Sequence, residues 1–307
     1  MLSRVAETLY WMARYVERAE NIARLVNVNN LLLMDLPKGV SPGWEPLIDI
    51  IGTRELFRDL YDDFSENSVL EYLIIEKNNP SSILSALLNA RDNTRTVREV
   101  IPRQVWEAIN SSYYFVKENA QGALSKRGRF FFMKHVVESA HLIFGALDAT
   151  LNHNLGYTFI RFGSLLERAD MTSRIIDVRS ARLIHNQTSR PFENIQWMSV
   201  LRSLSAYQMY RQQMGVRVRP REVLQFMLQD NMFPRSVLFC LNTLRRLTED
   251  MPNNVDMVDR IEHSINELRA QNAAKLKDTN ILHLYIDELQ IDLADIHQQL
   301  SEQYFLH

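Results

Sequence analysis

Glu167-Arg168-Ala169-Asp170-Met171-Thr172-Ser173-Arg174 decides the fold, because a near-copy, Glu17-Arg18-Ala19-Glu20-Asn21-Ile22-Ala23-Arg24, lies 150 positions earlier. Each stretch reads acid, Arg, Ala, acid, three spacers, Arg. In a helix the second acid and the last Arg stand four apart. That acid-first spacing favours an ion pair, though an exposed one is worth only about 0.2–0.5 kcal/mol. At 100° per residue, Trp11, Tyr15, Ala19, Ile22 and Val26 share one face of the first helix. Arg14, Glu17, Arg18, Glu20, Asn21 and Arg24 fall on the other, a broad charged face expected to be solvated. Around the second copy, Ile160, Met171 and Ile175 flank Glu167 and Arg174, so there the ionic stripe is expected to be partly buried. A buried carboxylate needs a cation beside it; Arg174, Arg24, Arg91 and Arg95 are the candidates for Glu167.

Outward from these stretches the pattern stays helical. Ser3 caps a first helix to about Leu33. Further helices are expected over Trp44–Tyr61, Val69–Glu76 (capped by Ser68), Ser82–Val100, Pro102 to near Tyr114 or beyond, Phe130–Leu151 as a core helix, and Tyr157–Ile184. After a loop at residues 185–191 they resume over Asn194–Met214, Arg221–Gln229, Pro234–Glu249, Asn254–Lys277 and Asn280–Tyr304. No Pro occurs between Pro102 and Pro191, and no segment alternates with period two for long enough to argue a strand. The fold class is all-α.

Similarity within the chain extends past the ionic stretches. At an offset of 154, Val69, Leu70, Pro80, Ser82, Leu84, Leu87 and Arg91 recur as Val223, Leu224, Pro234, Ser236, Leu238, Leu241 and Arg245. Trp44 recurs as Trp197 at 153. The order ionic helix, Trp helix, Pro-started helix therefore appears twice. It implies two related helical-bundle lobes from an internal duplication, 1–150 and 151–307, packed as one unit. A pseudo-twofold relation would bring the two ionic helices together. The copies have drifted. Arg91, Arg95 and Arg98 share a face in the first half, where the second has Arg245, Glu249 and Pro252. Three arginines on one face call either for an anionic partner or for internal pairing to Glu17, Glu20 or Glu167.

Composition narrows the function classes. With 35 Lys and Arg against 37 Asp and Glu, the net charge of −2 gives no global attraction to nucleic acid or an anionic membrane. The apolar runs fall short of the roughly 18 residues a membrane span needs. Met1-Leu2-Ser3-Arg4-Val5 carries no leader pattern, so a cytoplasmic location is expected. The single cysteine, Cys240, sits in an apolar run and reads as a buried thiol. No phosphate-cradling Gly loop, Walker lysine or Ser-His-Asp spacing is present, so no cofactor is expected. His135, Glu138 and His141 share a helix at metal-ligand spacing, but the second such pair of a di-metal bundle is missing, so no metal site is expected. Asp287-Glu288, Asp292 and Asp295 read as a solvated acidic face.

Taken together, these residues resemble the alpha-E family, a bacterial helical domain named for its Glu-Arg motif. The resemblance rests on Tyr15-Val16-Glu17-Arg18-Ala19-Glu20-Asn21-Ile22-Ala23-Arg24, on Ala90-Arg91-Asp92-Asn93-Thr94-Arg95 with Trp106-Glu107, on Phe159-Ile160-Arg161-Phe162-Gly163 with the second ionic stretch, and on Phe233-Pro234-Arg235-Ser236. These run in order from near the first residue to about residue 250. The resemblance implies an accessory or substrate-binding protein that works with an ATP-grasp-type amide ligase, or a transglutaminase-like protein, in making or modifying peptides. It carries over no catalytic residue. The expected binding cleft for an anionic or peptidic group takes in both ionic helices, including Arg168, Asp170 and Arg174, together with Arg91, Arg95, Arg98 and Arg235. Two rivals stand beside this: an enzyme with Glu17 or Glu167 as acid/base, and a helical interaction scaffold.

Overall fold

Gly163 sets how closely two long helices can approach. In a computed structural model, which describes residues 3–37, 42–185, 193–271 and 279–305, a Cβ added at Gly163 would lie 2.2 Å from the Tyr10 carbonyl oxygen and 3.3 Å from the Ala13 side chain. These residues belong to α1 (Ser3–Asp35) and α8 (Leu155–His185). Between them come α2 (Glu45–Ile51), α3 (Arg54–Leu60), α4 (Glu66–Ile74), α5 (Ile83–Thr96), α6 (Arg103–Ala123) and α7 (Lys126–Thr150). After α8 follow α9 (Glu193–Ser203), α10 (Tyr207–Met214), α11 (Pro220–Gln229), α12 (Val237–Thr248), α13 (Val255–Ala270) and α14 (Thr279–Tyr304). No strand occurs among the described residues. The chain is all-α.

Local chemistry explains where the helices stop. The helix expected over 44–61 is two, because Gly52 takes a left-handed φ of 71° and its N–H closes on the Asp49 carbonyl. The one expected over 194–214 also breaks: Ser205 sits at φ 54°, and the Ala206 N–H turns back to the Leu201 carbonyl. Ser65, not Ser68, caps α4; its hydroxyl accepts from the Ser68 N–H, and Asp63 holds both serines. Ser82 and Ser236 cap α5 and α12 in the same way, accepting from the Ser85 and Phe239 N–H groups. The loop expected at 185–191 and the end of the helix expected to reach Lys277 fall largely outside the described residues.

Contacts group the residues into two compact units that interleave along the chain. The first comprises Met1–Asn27, Thr53–Glu167 and Leu300–His307; the second Val28–Gly52 and Arg168–Gln299. In the first unit Leu9, Met12, Ala13 and Val16 of α1 meet Ala90 of α5, Val105 and Ile109 of α6, Ala140, Ile143 and Leu147 of α7, and Ile160 of α8. Fully burying one such aliphatic side chain contributes about 1.5–3 kcal/mol. α7 is more two-faced than the expected core helix. Phe132, Met133, Val136 and Ala140 are buried, while Phe131 is 72% and Leu142 63% exposed. Among the described residues α7 alone has the length and apolar composition to cross a membrane, and its apolar stripe packs against protein. In the second unit α12 packs on α11 and α13, and Phe226, Met227, Leu241, Leu244, Ile261 and Leu268 are buried there. Cys240 is buried with them, as its apolar run suggested.

Replacing Gly163 by Ala forces α1 and α8 apart. Overpacking of this kind costs about 1–3 kcal/mol, so denaturant unfolding of the G163A protein should show a lowered midpoint with little change in slope. An unchanged midpoint would mean that the two helices are free to separate.

Candidate ionic site on the first and eighth helices

Tyr10, Arg14 and Arg18 follow one another at intervals of four, so α1 presents them along one face. Gly163 lets α8 come near that face, and Glu167, one turn further along α8, meets it. Arg18 grips the carboxylate as a fork, Nε donating to Oε1 at 2.6 Å and Nη2 to Oε2 at 2.9 Å. Arg14 Nε donates to Oε2 at 2.7 Å, and its Nη1 donates to the Tyr10 hydroxyl at 3.0 Å. The Glu167 side chain is 2% exposed, against 10% for Arg14 and 18% for Arg18. Both guanidinium groups also rest on rings: Arg14 lies 5.3 Å from the Trp11 centroid and Arg18 5.8 Å from that of Tyr15.

Burial alone would raise the Glu167 pKa. The charges and hydrogen bonds of Arg18 and Arg14 outweigh it and hold the carboxyl down at about 2. Burial likewise opposes the charge on Arg18, but the Glu167 carboxylate more than restores it, and its pKa is raised. Burial pushes the Tyr10 phenol up to about 12. The result is a cluster that is charged near neutral pH, with its carboxylate oxygens already occupied by donors.

Several expectations need correction. The partners of Glu167 are Arg14 and Arg18, not Arg174, Arg24, Arg91 or Arg95. The charged face of α1 is not solvated. Arg14, Glu17, Glu20 and Asn21 are all buried, because protein surrounds this helix on nearly every side. Glu20 holds Arg24, which donates from Nε at 2.8 Å and Nη2 at 2.6 Å, and His141 of α7 stands 3.3 Å from the same oxygen. Arg174 stays on its own helix, donating to Asp170 at 2.8 Å. Its guanidinium also presses on Gly52, where a Cβ would meet Nη1 at 2.7 Å. Arg168 reaches the Pro234 carbonyl at 3.5 Å, and Arg235 is buried, its carbonyl accepting from the Thr172 hydroxyl.

Arg91, Arg95 and Arg98 form a separate group on α5. Arg91 Nε donates to Asn110 Oδ1 at 2.8 Å, and its guanidinium lies 5.9, 5.3 and 5.5 Å from the ring centres of Trp106, Tyr113 and Tyr114. Arg98 also faces Trp106, at 5.3 Å. Arg95 is 60% exposed with Asp92 at 3.8 Å. These α6 residues were missed as a set, although Trp106, Asn110, Tyr113 and Tyr114 repeat at helical spacing and mark one face. His135 stacks on Phe115 and Glu138 pairs with Lys134, so the suspected metal trio is divided among other tasks. The acidic residues of α14 lie on an exposed face, as expected, the Asp287 and Asp295 side chains being 49% and 40% exposed, and part of it is paired. Asp295 pairs with Arg260, and His283 lies between Asp177 at 2.8 Å and Asp287 at 3.5 Å. Among the described residues that triad alone groups metal-ligand types. Both imidazole nitrogens face carboxylates, an arrangement suited to a protonated ring.

A family model described as a predicted alpha-helical domain with a conserved ER motif matches residues 1–305. An uncharacterized protein of Mycobacterium bovis and one of Mycobacterium tuberculosis are each 22% identical over 321 residues, covering 97% of this chain and 36% of the relative. The chain thus spans about a third of the length of the curated relatives it matches. No solved structure matches it.

Removing the carboxylate strands two buried guanidinium groups, so Glu167→Gln should destabilise the fold by about 3–5 kcal/mol, read by denaturant unfolding. The pH dependence has a defined sign. Because the folded pKa lies below the ordinary 4.5, the stabilisation is complete above that value and disappears as pH falls towards about 2. Wild type should lose stability through that window, and the E167Q protein should lose less. Parallel acid profiles would contradict the assignment.

Proposed function

The chain belongs to the Alpha-E family, and on that premise we propose that it is an accessory protein for an ATP-grasp-type amide ligase in peptide synthesis or modification. It receives an anionic or peptidic group on the arginine and aromatic face of α5 and α6. The observation that carries this reading is Arg91, held by Asn110 and surrounded by Trp106, Tyr113 and Tyr114, with exposed Arg95 beside it. Trp, Tyr and Arg are the residues that concentrate binding energy at interfaces. A guanidinium fixed in orientation by rings can meet a carboxylate without ordering cost at the moment of binding. The coverage of the relatives adds support, since a domain filling 36% of a longer chain suits a module that serves a neighbour. A transglutaminase-like protein is the alternative partner, and the cytoplasm, where ATP is available, is the proposed location.

Matched local geometry supports two related lobes from a duplication. Ser82 and Ser236 cap their helices alike, and Thr94 and Thr248 donate to the carbonyls four residues back, Ala90 and Leu244, all at the offset of 154. The cleft expected around both ionic helices is narrower in this reading. The Glu167 cluster holds the fold, and the ligand goes to α5 and α6. The enzyme reading with Glu167 as acid/base is the weaker one. A carboxylate with a pKa of about 2, already bound by two arginines, is a poor base near neutral pH.

Co-purification with an ATP-grasp ligase, followed by its ATP-dependent amide-forming rate with and without this protein, tests the proposal. Complex formation and a faster ligase are expected, with R91A weakening the complex by about tenfold or more at unchanged melting temperature. Turnover by this protein alone, lost in E167Q, would overturn it.

A further inference from the structure

The second unit contains a polar cleft of about 580 Å3, bordered by Arg245, Arg246, Asn231 and Asn242 on one side and by Glu262 and Arg269 of α13 on the other. Its volume lies within the roughly 300–1,000 Å3 typical of small-ligand sites. Arg245 is already neutralised, donating to Glu262 at 2.8 Å and Glu249 at 2.5 Å. Arg246 and Arg269 are not. They donate to neutral oxygens, Thr243 Oγ1 at 3.2 Å and Asn242 Oδ1 at 3.3 Å. Among the described residues neither has a carboxylate within 4 Å.

The simplest structural account is that arginines in a last helical turn satisfy the helix end. Here other side chains already do that. The Asn254 amide donates to the Thr248 and Glu249 carbonyls at the end of α12, and the Gln229 amide to the Leu268 and Gln271 carbonyls at the end of α13. Arg246 and Arg269 are therefore available to the cleft. Asn242 is oriented too, donating to Asn231 Oδ1 at 3.0 Å while accepting from Arg269. Two guanidinium groups suit an anion. Glu262 in the same wall disfavours a doubly charged phosphate and favours a singly charged group with N–H donors close by.

We propose that this cleft binds the free carboxyl end of a peptide, with Arg246 and Arg269 on the carboxylate and the asparagine amides and Glu262 on the adjoining peptide groups. The site lies on helices other than the α5 and α6 face and does not rest on the ligase reading. The test is a titration of the full chain, followed by backbone amide NMR, with N-acetyl-alanyl-alanine, its C-terminal amide and inorganic phosphate. The free acid should shift resonances of α12 and α13 and bind at least about tenfold tighter than the amide or phosphate. The R246Q/R269Q protein should lose about tenfold or more in affinity for the acid at an unchanged melting temperature. Equal binding of acid and amide, tighter binding of phosphate, no binding, or full affinity in R246Q/R269Q would each overturn the proposal.

Discussion

One buried carboxylate under two guanidinium groups is the constraint on which the first unit depends. A charged Glu167 in a dry helix interface would be prohibitive alone, and the attraction of Arg14 and Arg18 offsets that cost only in a narrow geometry. The geometry in turn requires α8 to lie close to α1, which the missing side chain at Gly163 permits. The two repeated Glu-Arg stretches are therefore not two independent surface motifs. The arginine of the first, Arg18, closes on the glutamate of the second, Glu167.

Much of this was legible before any coordinates. The all-α class followed from period and from the scarcity of breakers. The burial of Glu167 followed from Ile160, Met171 and Ile175 around it. The identity of its partners did not. Arg14 and Arg18 stand four apart and repel one another, which makes them an unpromising pair until a third charge is placed between them. The α1 wheel misled for a related reason. A helix enclosed on nearly all sides has no solvated face, and its polar stripe then records internal pairing. The two broken helices turned on single backbone torsions, at Gly52 and Ser205, which hydrophobic period does not encode.

Arg91 and Arg245, 154 positions apart, are held differently. Arg91 is set among rings and an amide; Arg245 is tied to two carboxylates. The first arrangement sets a largely buried cation against rings, with one carboxylate, Asp92, 3.5 Å away. The second neutralises its cation and leaves the neighbouring Arg246 and Arg269 to define the local charge. A ligand carrying both an apolar side chain and an acid would discriminate between them.

The enclosure of Glu167 also decides which parts of the molecule respond to dissolved ions. Surface pairs such as Arg103 with Glu107, whose side chains are 88% and 56% exposed, sit within reach of the counterion atmosphere and weaken as electrolyte is added. The Glu167 carboxylate, 2% exposed, is shielded by protein, and its pairing is screened far less. Tolerance of brine is thus a property of the interior of this fold, while its periphery loosens first.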